Sequence, residues 1–311
     1  MPYDLTKRLV VGISSSALFN LDESDQIFRT QGEEKYREYQ RENQHVTLGK
    51  GVAFPFVRRL LKLNELQIDD PLVEVVLLSR NDPDTGLRVM NSIEHYGLGI
   101  TRAVFLQGKS PHTYIEAFDI ELFLSANKQD VVQATMAGYP AGQILQGDVK
   151  DILADDELRI AFDFDGVLAD DEAETVFKTT NKLEKFHAHE TKKSEITHNP
   201  GPLKKFLDRI SAIQEIEAAR ESSDSTYKAR LKVSIVTARN APSHKRVINT
   251  MREWGITVNE AFFLGGVEKA KILNILKPHI FFDDQLSHLE ASASILPSVH
   301  IPFGIANSKI D

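Results

Sequence analysis

Residues 160–172 read IAFDFDGVLADDE. The apolar run at the start has the composition of a buried β-strand, yet aspartates stand at 163 and 165, where such a strand should stay dry. A carboxylate in apolar surroundings is costly unless it is paired, hydrogen-bonded or bound to a cation. The chain can turn at Gly166, so both side chains can face one space beyond the strand's carboxyl end. In open α/β sheets, that is where ligands bind.

Working outward, apolar runs recur at 8–14, 73–79, 103–106, 120–125, 232–237, 261–264 and 279–284. They alternate with amphipathic stretches such as 86–97 and 244–255, each closed by a glycine. The pattern predicts an α/β protein with mostly parallel strands. Segments 189–202 and 218–230 are polar or punctuated by Pro and Gly, and read as loops.

The two amphipathic stretches expose an internal repeat. Residues 77–127 lie over 235–285 without a gap, RVMNSIEHYGLGITRAVFLQG (88–108) on RVINTMREWGITVNEAFFLGG (246–266). Arg88, Val89, Asn91, Gly97, Ala103, Phe105, Leu106, Gly108 and Phe123 meet identical residues. The starts match too, ISSSALF (13–19) on FDFDGVL (162–168) and DESDQIFR (22–29) on DEAETVFK (171–178). A shared strand–helix rhythm explains single matches, but an ordered, ungapped block argues for tandem duplication of whole domains. The expected domains are 1–150 and 151–311.

Composition bounds the function. The chain has 311 residues, a length for about two domains, with 41% hydrophobic and 26% charged residues. A net charge of -8 argues against a nucleic-acid polymer as partner. The absence of cysteine excludes disulfides and Cys-ligated zinc or iron–sulfur sites. No stretch approaches the roughly 20 apolar residues of a membrane span, so no membrane partner is expected. The first apolar run reads as a strand rather than a leader, which makes a cytoplasmic protein the default. Whether the chain forms a homo-oligomer is left open.

The copies differ in their ionisable groups. Asp163 and Asp165 face Ser14 and Ser16, Lys269 faces Pro111, and Asp283–Asp284 face Ser125–Ala126. Thr237 faces Ser79 and keeps a hydroxyl. With parallel strands, Asp163, Asp165, Thr237, Asp283 and Asp284 converge on one crevice. Four carboxylates invite a hard cation, and oxygen-only ligands favour Mg²⁺ sharing its shell with phosphate. Asp163 can then attack phosphorus, and Asp165 can protonate the leaving oxygen and later activate water. Thr237 and Lys269 can hold the phosphoryl oxygens, with Gly166 and Ala238 completing the phosphate-binding set. Asp163, Asp165, Asp283 and Asp284 form the expected metal set. Lys271, two residues on, is an alternative to Lys269.

DFDGV, the strand-ending Thr of IVTARN, the Lys of GGVEKAK and FFDDQ match in order the four motifs of haloacid dehalogenase-like phosphohydrolases. SSSALFNLDESD, LLSRNDPDTGLRVMNSIEHYGL, AFDFDGVL and KPHIFFDDQLSHL more closely resemble the cytosolic 5′-nucleotidase I family, over nearly the whole chain. The resemblance implies duplicated, doubly wound (Rossmann-like) domains of that superfamily and Mg²⁺-dependent hydrolysis of nucleoside 5′-monophosphates. By motif position it assigns the nucleophile to Asp163, the acid/base to Asp165, the phosphate hydroxyl to Thr237, the lysine to Lys269 and the metal carboxylate to Asp283. Action on another phosphate ester, such as a sugar phosphate, and non-enzymatic nucleotide sensing are the competing readings.

About 70 residues separate Asp163 from Thr237, which suggests a small helical cap inserted in the second copy around 170–230. Phe177 and Phe186 could stack on a base there, although core packing is the plainer use. His187, His189, His279, His288 and His300 show no metal-ligand spacing and are read as structural. In the first copy, Ser14, Ser15, Ser16, Ser79, Arg80 and Lys109 could form a metal-independent anion site. The plainer reading, adopted here, is that this half is scaffold.

Overall fold

The computed structural model describes residues 3–147 and 151–307. The expected boundary at 150/151 abuts residues 148–150, which lie outside the described residues. By its contacts the chain divides into two compact units, Met1–Ile144 and Leu145–Asp311.

The first unit contains parallel strands β1 (Leu9–Ile13), β2 (Val73–Ser79), β3 (Arg102–Phe105), β4 (Leu122–Ser125) and β5 (Ala141–Ile144). β1 pairs with β2 on one side and β4 on the other; β3 flanks β2 and β5 flanks β4. Strands β1, β2 and β4 are buried along their whole length, as parallel strands covered on both faces are. That double burial is why they read as continuous apolar runs rather than as alternation. Helices α1 (Asp22–Gln31), α2 (Glu33–Glu42) and α3 (Phe54–Lys62) lie between β1 and β2, with α4 (Leu87–His95) and α5 (Lys128–Met136) further along. Val10, Val76, Leu78, Ile120, Phe123 and Val131 form a core cluster.

In the second unit the parallel strands are β6 (Leu158–Phe162), β7 (Leu231–Thr237), β8 (Glu260–Phe263), β9 (Ile280–Asp283) and β10 (Ser298–His300). β6 is flanked by β7 and β9, with β8 beyond β7 and β10 beyond β9. Each unit therefore orders its own strands 3-2-1-4-5, the doubly wound pattern that opens a crevice beside the first strand. Helices α6 (Glu172–Thr180), α7 (Leu183–Lys192), α8 (Lys204–Ser223), α9 (His244–Glu253), α10 (Lys269–Leu276) and α11 (Leu286–Ala293) connect them. Ala161, Val236, Leu273, Phe281, Leu289 and Leu296 make the core cluster of this unit.

Three sequence expectations need correction. The helix pair α6–α7 sits in the segment expected to be a cap, but the first unit has the pair α1–α2 at the same place after its first strand. A helix pair in this place is therefore common to both units rather than particular to the second. The longer second segment comes mainly from α8, which has 20 residues where α3 has 9. Both segments read as loops begin as helix: α7 runs to Lys192 and α8 to Ser223. Buried carboxylates anchor these helices late in their course. Glu217 accepts hydrogen bonds from the Arg230 and Leu231 N–H groups at 2.9 Å each, tying the end of α8 to the start of β7. Gly201 approaches the other backbone so closely that a Cβ would stand 2.3 Å from the Ala169 carbonyl oxygen. Gly51 meets the same constraint in the first unit, 2.7 Å from the Ala17 carbonyl oxygen.

Candidate active site

Three strand ends and one helix start converge in the second unit. Asp163 follows β6, Thr237 ends β7, Asp283 ends β9 and Lys269 begins α10. All are buried. Lys269 Nζ lies 2.8 Å from Asp163 Oδ2 and 2.7 Å from Asp283 Oδ2, bridging the two carboxylates. Lys271 is exposed and lies 3.9 Å from Glu268, away from this cluster, so geometry favours Lys269. Asp163 Oδ1 accepts a hydrogen bond from the Phe164 N–H at 2.7 Å, and Thr237 Oγ1 accepts one from the Arg239 N–H at 3.3 Å.

Burial pushes the Asp163 carboxyl up to about 7; Lys269 pulls against the rise, and the charges of Asp283 and Asp165 add to it. Burial also opposes the Lys269 charge, but Asp163 and Asp283 outweigh it and raise the group above the ordinary lysine value. For Asp283 burial works upward, while Lys269 and His288 together hold the carboxyl low. His288 Nδ1 is 3.2 Å from each Asp283 oxygen, so this histidine, read as structural from spacing alone, stands at the site.

Asp284 stands apart. It is 1% exposed, and neither carboxylate oxygen has a hydrogen-bond partner among the described residues. Burial, with the charges of Asp163, Glu174 and Asp283, pushes it up to about 10. Gly166 is packed against it at φ +71°, where a Cβ would come within 2.7 Å of the Asp284 carboxyl carbon. An orphaned buried carboxylate beside a second carboxylate suits a hard cation. Asp163, Asp283 and His288 could also each offer one donor, all within 4.8 Å of one another. Asp283 is already engaged by Lys269 and His288, whereas both Asp284 oxygens lack a partner among the described residues, so Asp284 with Asp163 is the better fit.

Asp165 is held differently. Arg239 donates from Nε to Asp165 Oδ2 at 2.7 Å and from Nη2 to Oδ1 at 2.6 Å, a two-pronged pair occupying both oxygens. The site opens into a cavity of about 330 Å³. Asp163, Asp165, Thr237 and Ala238 line one part; Phe177, Leu183 and Phe186 from the helix pair provide an apolar wall. Phe177 and Phe186 meet edge to face at 6.4 Å.

In the first unit the residues at corresponding places satisfy one another. Ser14 Oγ lies 3.1 Å from Ser16 Oγ, and Ser15 Oγ 3.1 Å from Ser79 Oγ. Arg80 donates to Asp130 from Nε at 2.9 Å and from Nη2 at 2.5 Å. Lys109 is exposed.

The sequence matches the family described as 5′-nucleotidase over residues 1–308. The chain belongs to the 5′-nucleotidase family. It is 36% identical over 290 residues to human cytosolic 5′-nucleotidase 1B, covering 91% of this chain and 47% of that one. It thus spans about half the length of the curated relative it matches. Among solved structures, histidinol dehydrogenase from Elizabethkingia anophelis matches over 78% of this chain and 49% of that chain, at 10% identity. Its TM-score of 0.23 is too low to bear on the fold of this 5′-nucleotidase family member.

Sequence reasoning missed Arg239, Glu174 and His288. Arg239 carried a usable signal: it faces Asn81 at the same offset that sets Thr237 on Ser79. Glu174, with Oε1 2.9 Å from Gln285 Nε2 and Oε2 buried without a partner among the described residues, had none.

Proposed function

We propose that this protein hydrolyses nucleoside 5′-monophosphates to nucleoside and phosphate through an aspartyl-phosphate on Asp163. The observation that carries the reading is the placement of Asp163, Asp165 and Thr237 on an aromatic-walled cavity large enough for a small ligand, with Lys269 2.8 Å from Asp163. Family membership supports the substrate class, and the relative's name supports a cytoplasmic location.

In the first step an Asp163 oxygen attacks phosphorus, the bond from phosphorus to the ester oxygen breaks, and the Asp165 carboxyl supplies the proton to that oxygen. In the second, water attacks the acyl phosphate and gives its proton to Asp165, releasing phosphate and regenerating Asp163. Lys269 favours the ionised nucleophile and sets positive charge beside the phosphoryl group, while Thr237 offers it a hydroxyl donor. The apolar wall limits water and offers a base a stacking surface. Asp163 and Asp284 would hold Mg²⁺, which when bound supplies positive charge against the phosphoryl oxygens. Asp283, in this reading, orients Lys269.

We read the two units as a tandem duplication of haloacid dehalogenase-like domains, supported by their equal strand order, paired helices and corresponding close-approach glycines. In the first unit Asp130 offsets the Arg80 charge, which supports the scaffold role.

The test is phosphate release across nucleoside monophosphates, ribose 5-phosphate and other sugar phosphates, with Mg²⁺ present. Preference for nucleotides over ribose 5-phosphate is expected. Equal turnover of the two makes the protein a general phosphatase; saturable nucleotide binding without turnover makes it a sensor.

A further inference from the structure

Arg239 is 4% exposed and is the hub of a buried charge network. Beyond its fork on Asp165, its Nη1 pairs with Glu190 Oε2 on α7. Glu190 is 1% exposed and receives a second hydrogen bond, at 2.9 Å, from Arg246 Nη1 on α9. The guanidinium also lies 5.6 Å from the Phe164 ring centre and 5.4 Å from that of Phe186, a wall residue of the cavity.

The first unit shows what this arrangement becomes where no Asp165 exists. Arg88 donates to Gln40 Oε1 at 3.3 Å, Gln40 to Tyr36 Oη at 3.1 Å, and Tyr36 to Asn81 Oδ1 at 3.3 Å. Both units have the helix pair, an arginine on the helix after the second strand (Arg88 on α4, Arg246 on α9) and a chain of polar contacts leading from it to the strand end. The residues matching Glu190, Arg239 and Asp165 are the neutral Gln40, Asn81 and Ser16. In the first unit the buried link from Arg88 to this strand end runs through neutral amides and a phenol, while the ion pairs from α2 to the same loop, Arg37–Asp82 at 2.9 Å and Arg41–Asp84 at 2.7 Å, lie nearer the surface. Buried ion pairs are poor stabilisers compared with neutral packing, because desolvation cancels much of their attraction. Charge at the three buried places of Glu190, Arg239 and Asp165, neutral in the first unit, needs a reason other than cohesion.

We propose that Arg239 is a positioning residue for Asp165, with Glu190 fixing Arg239, so that the helix pair bearing the aromatic wall also sets the orientation of the acid–base group. The inference rests on the acid–base reading of Asp165 given above. Two parallel N–H donors fix the plane of the carboxylate, which a single ammonium cannot do. To carry a proton, one carboxyl oxygen must leave the fork. Glu190 then holds the guanidinium in place, and the carboxylate returns to the same orientation.

The test compares single-turnover rates for a nucleoside monophosphate with those for p-nitrophenyl phosphate, whose leaving group needs no proton. Arg239→Gln should slow nucleoside release by about 10²-fold and nitrophenolate release by less than about tenfold. Arg239→Lys should not restore the nucleotide rate, and Glu190→Gln should fall in the same direction by less. Glu190→Gln introduces the amide the first unit carries at Gln40, and should fold with an unchanged circular dichroism spectrum. Equal loss on both substrates, or full nucleotide turnover by Arg239→Gln, overturns the positioning role. If the wild type turns over neither substrate, the catalytic reading falls first and this one with it.

Discussion

The two units place polar groups of different kinds at corresponding strand ends and satisfy them in opposite ways. In the first, hydroxyls pair with hydroxyls, and Arg80 finds Asp130, so the crevice residues answer one another's needs. In the second, Asp163, Asp283 and Lys269 share a buried cluster, Asp165 takes an arginine fork, and Asp284 is left with no hydrogen-bond partner among the described residues. Surplus buried charge is a cost that folding alone would shed. Where it persists, the missing partner is best sought among ligands.

The largest expected effect separates the units most sharply. Asp163→Asn should lower phosphate release from a nucleoside monophosphate by at least about 10³-fold, since the amide is isosteric but a poor nucleophile. Ser14→Ala, at the matching place in the first unit, should change the rate by less than twofold, roughly the scale expected of a scaffold residue. Wild-type turnover by purified Asp163→Asn, with contamination excluded, would rule out the covalent route.

Next in size is the effect of the metal. Chelation should abolish activity and excess Mg²⁺ should restore it. Asp284→Asn should raise the Mg²⁺ requirement by about tenfold or more. The same variant should melt higher than the wild type when both are metal-free, because it removes a buried carboxylate with no partner. The sign follows from linkage: the folded carboxyl sits near 10, against an ordinary value of 3.8. Its stability contribution is complete below the unfolded value and declines as pH rises towards the folded one. The melting gap should therefore widen from pH 5 to pH 9 without metal, and close when Mg²⁺ is added. A gap indifferent to both pH and Mg²⁺ would mean that the Asp284 carboxyl titrates alike in the folded and unfolded chain and holds no metal.

Much of this contrast was legible before any coordinates, because strands buried on both faces write their apolar character directly into the sequence. Residues 231–237 and 280–283 end in Thr237 and Asp283, and parallel pairing then brings those ends together. β5 and β10 were not legible. AGQI lacks an apolar run and SVH is too short to show a period. The division of labour between Asp283 and Asp284 was hidden as well, since adjacent identical residues differ only in which one Lys269, His288 and the Gln285 N–H reach. Glu190 lies 49 residues from Arg239, and no local pattern announces such a partner. From sequence the helix pair reads as an addition to the second unit because its counterpart in the first, EEKYREYQRE, is strongly polar and gives little apolar signal.

The smallest expected effect tests the quiet half of the comparison. Arg80 is partly exposed, with Asp130 buried beneath it at 2.5 Å. If the first unit is scaffold, this pair serves packing and its removal should be felt in stability alone. Arg80→Ala strands the Asp130 carboxylate and should cost about 1–3 kcal/mol, less than a fully buried pair because solvent reaches the guanidinium. Adding Asp130→Asn should recover much of that loss, since the double variant leaves no buried charge without a partner. Neither variant should alter nucleotide turnover or the stoichiometry of nucleotide binding, measured at equilibrium in EDTA with the Asp163→Asn background. A second, metal-independent nucleotide bound by the Asp163→Asn protein and lost on Arg80→Ala would give the first unit a ligand of its own. Its serines would then be an anion cradle rather than scaffold.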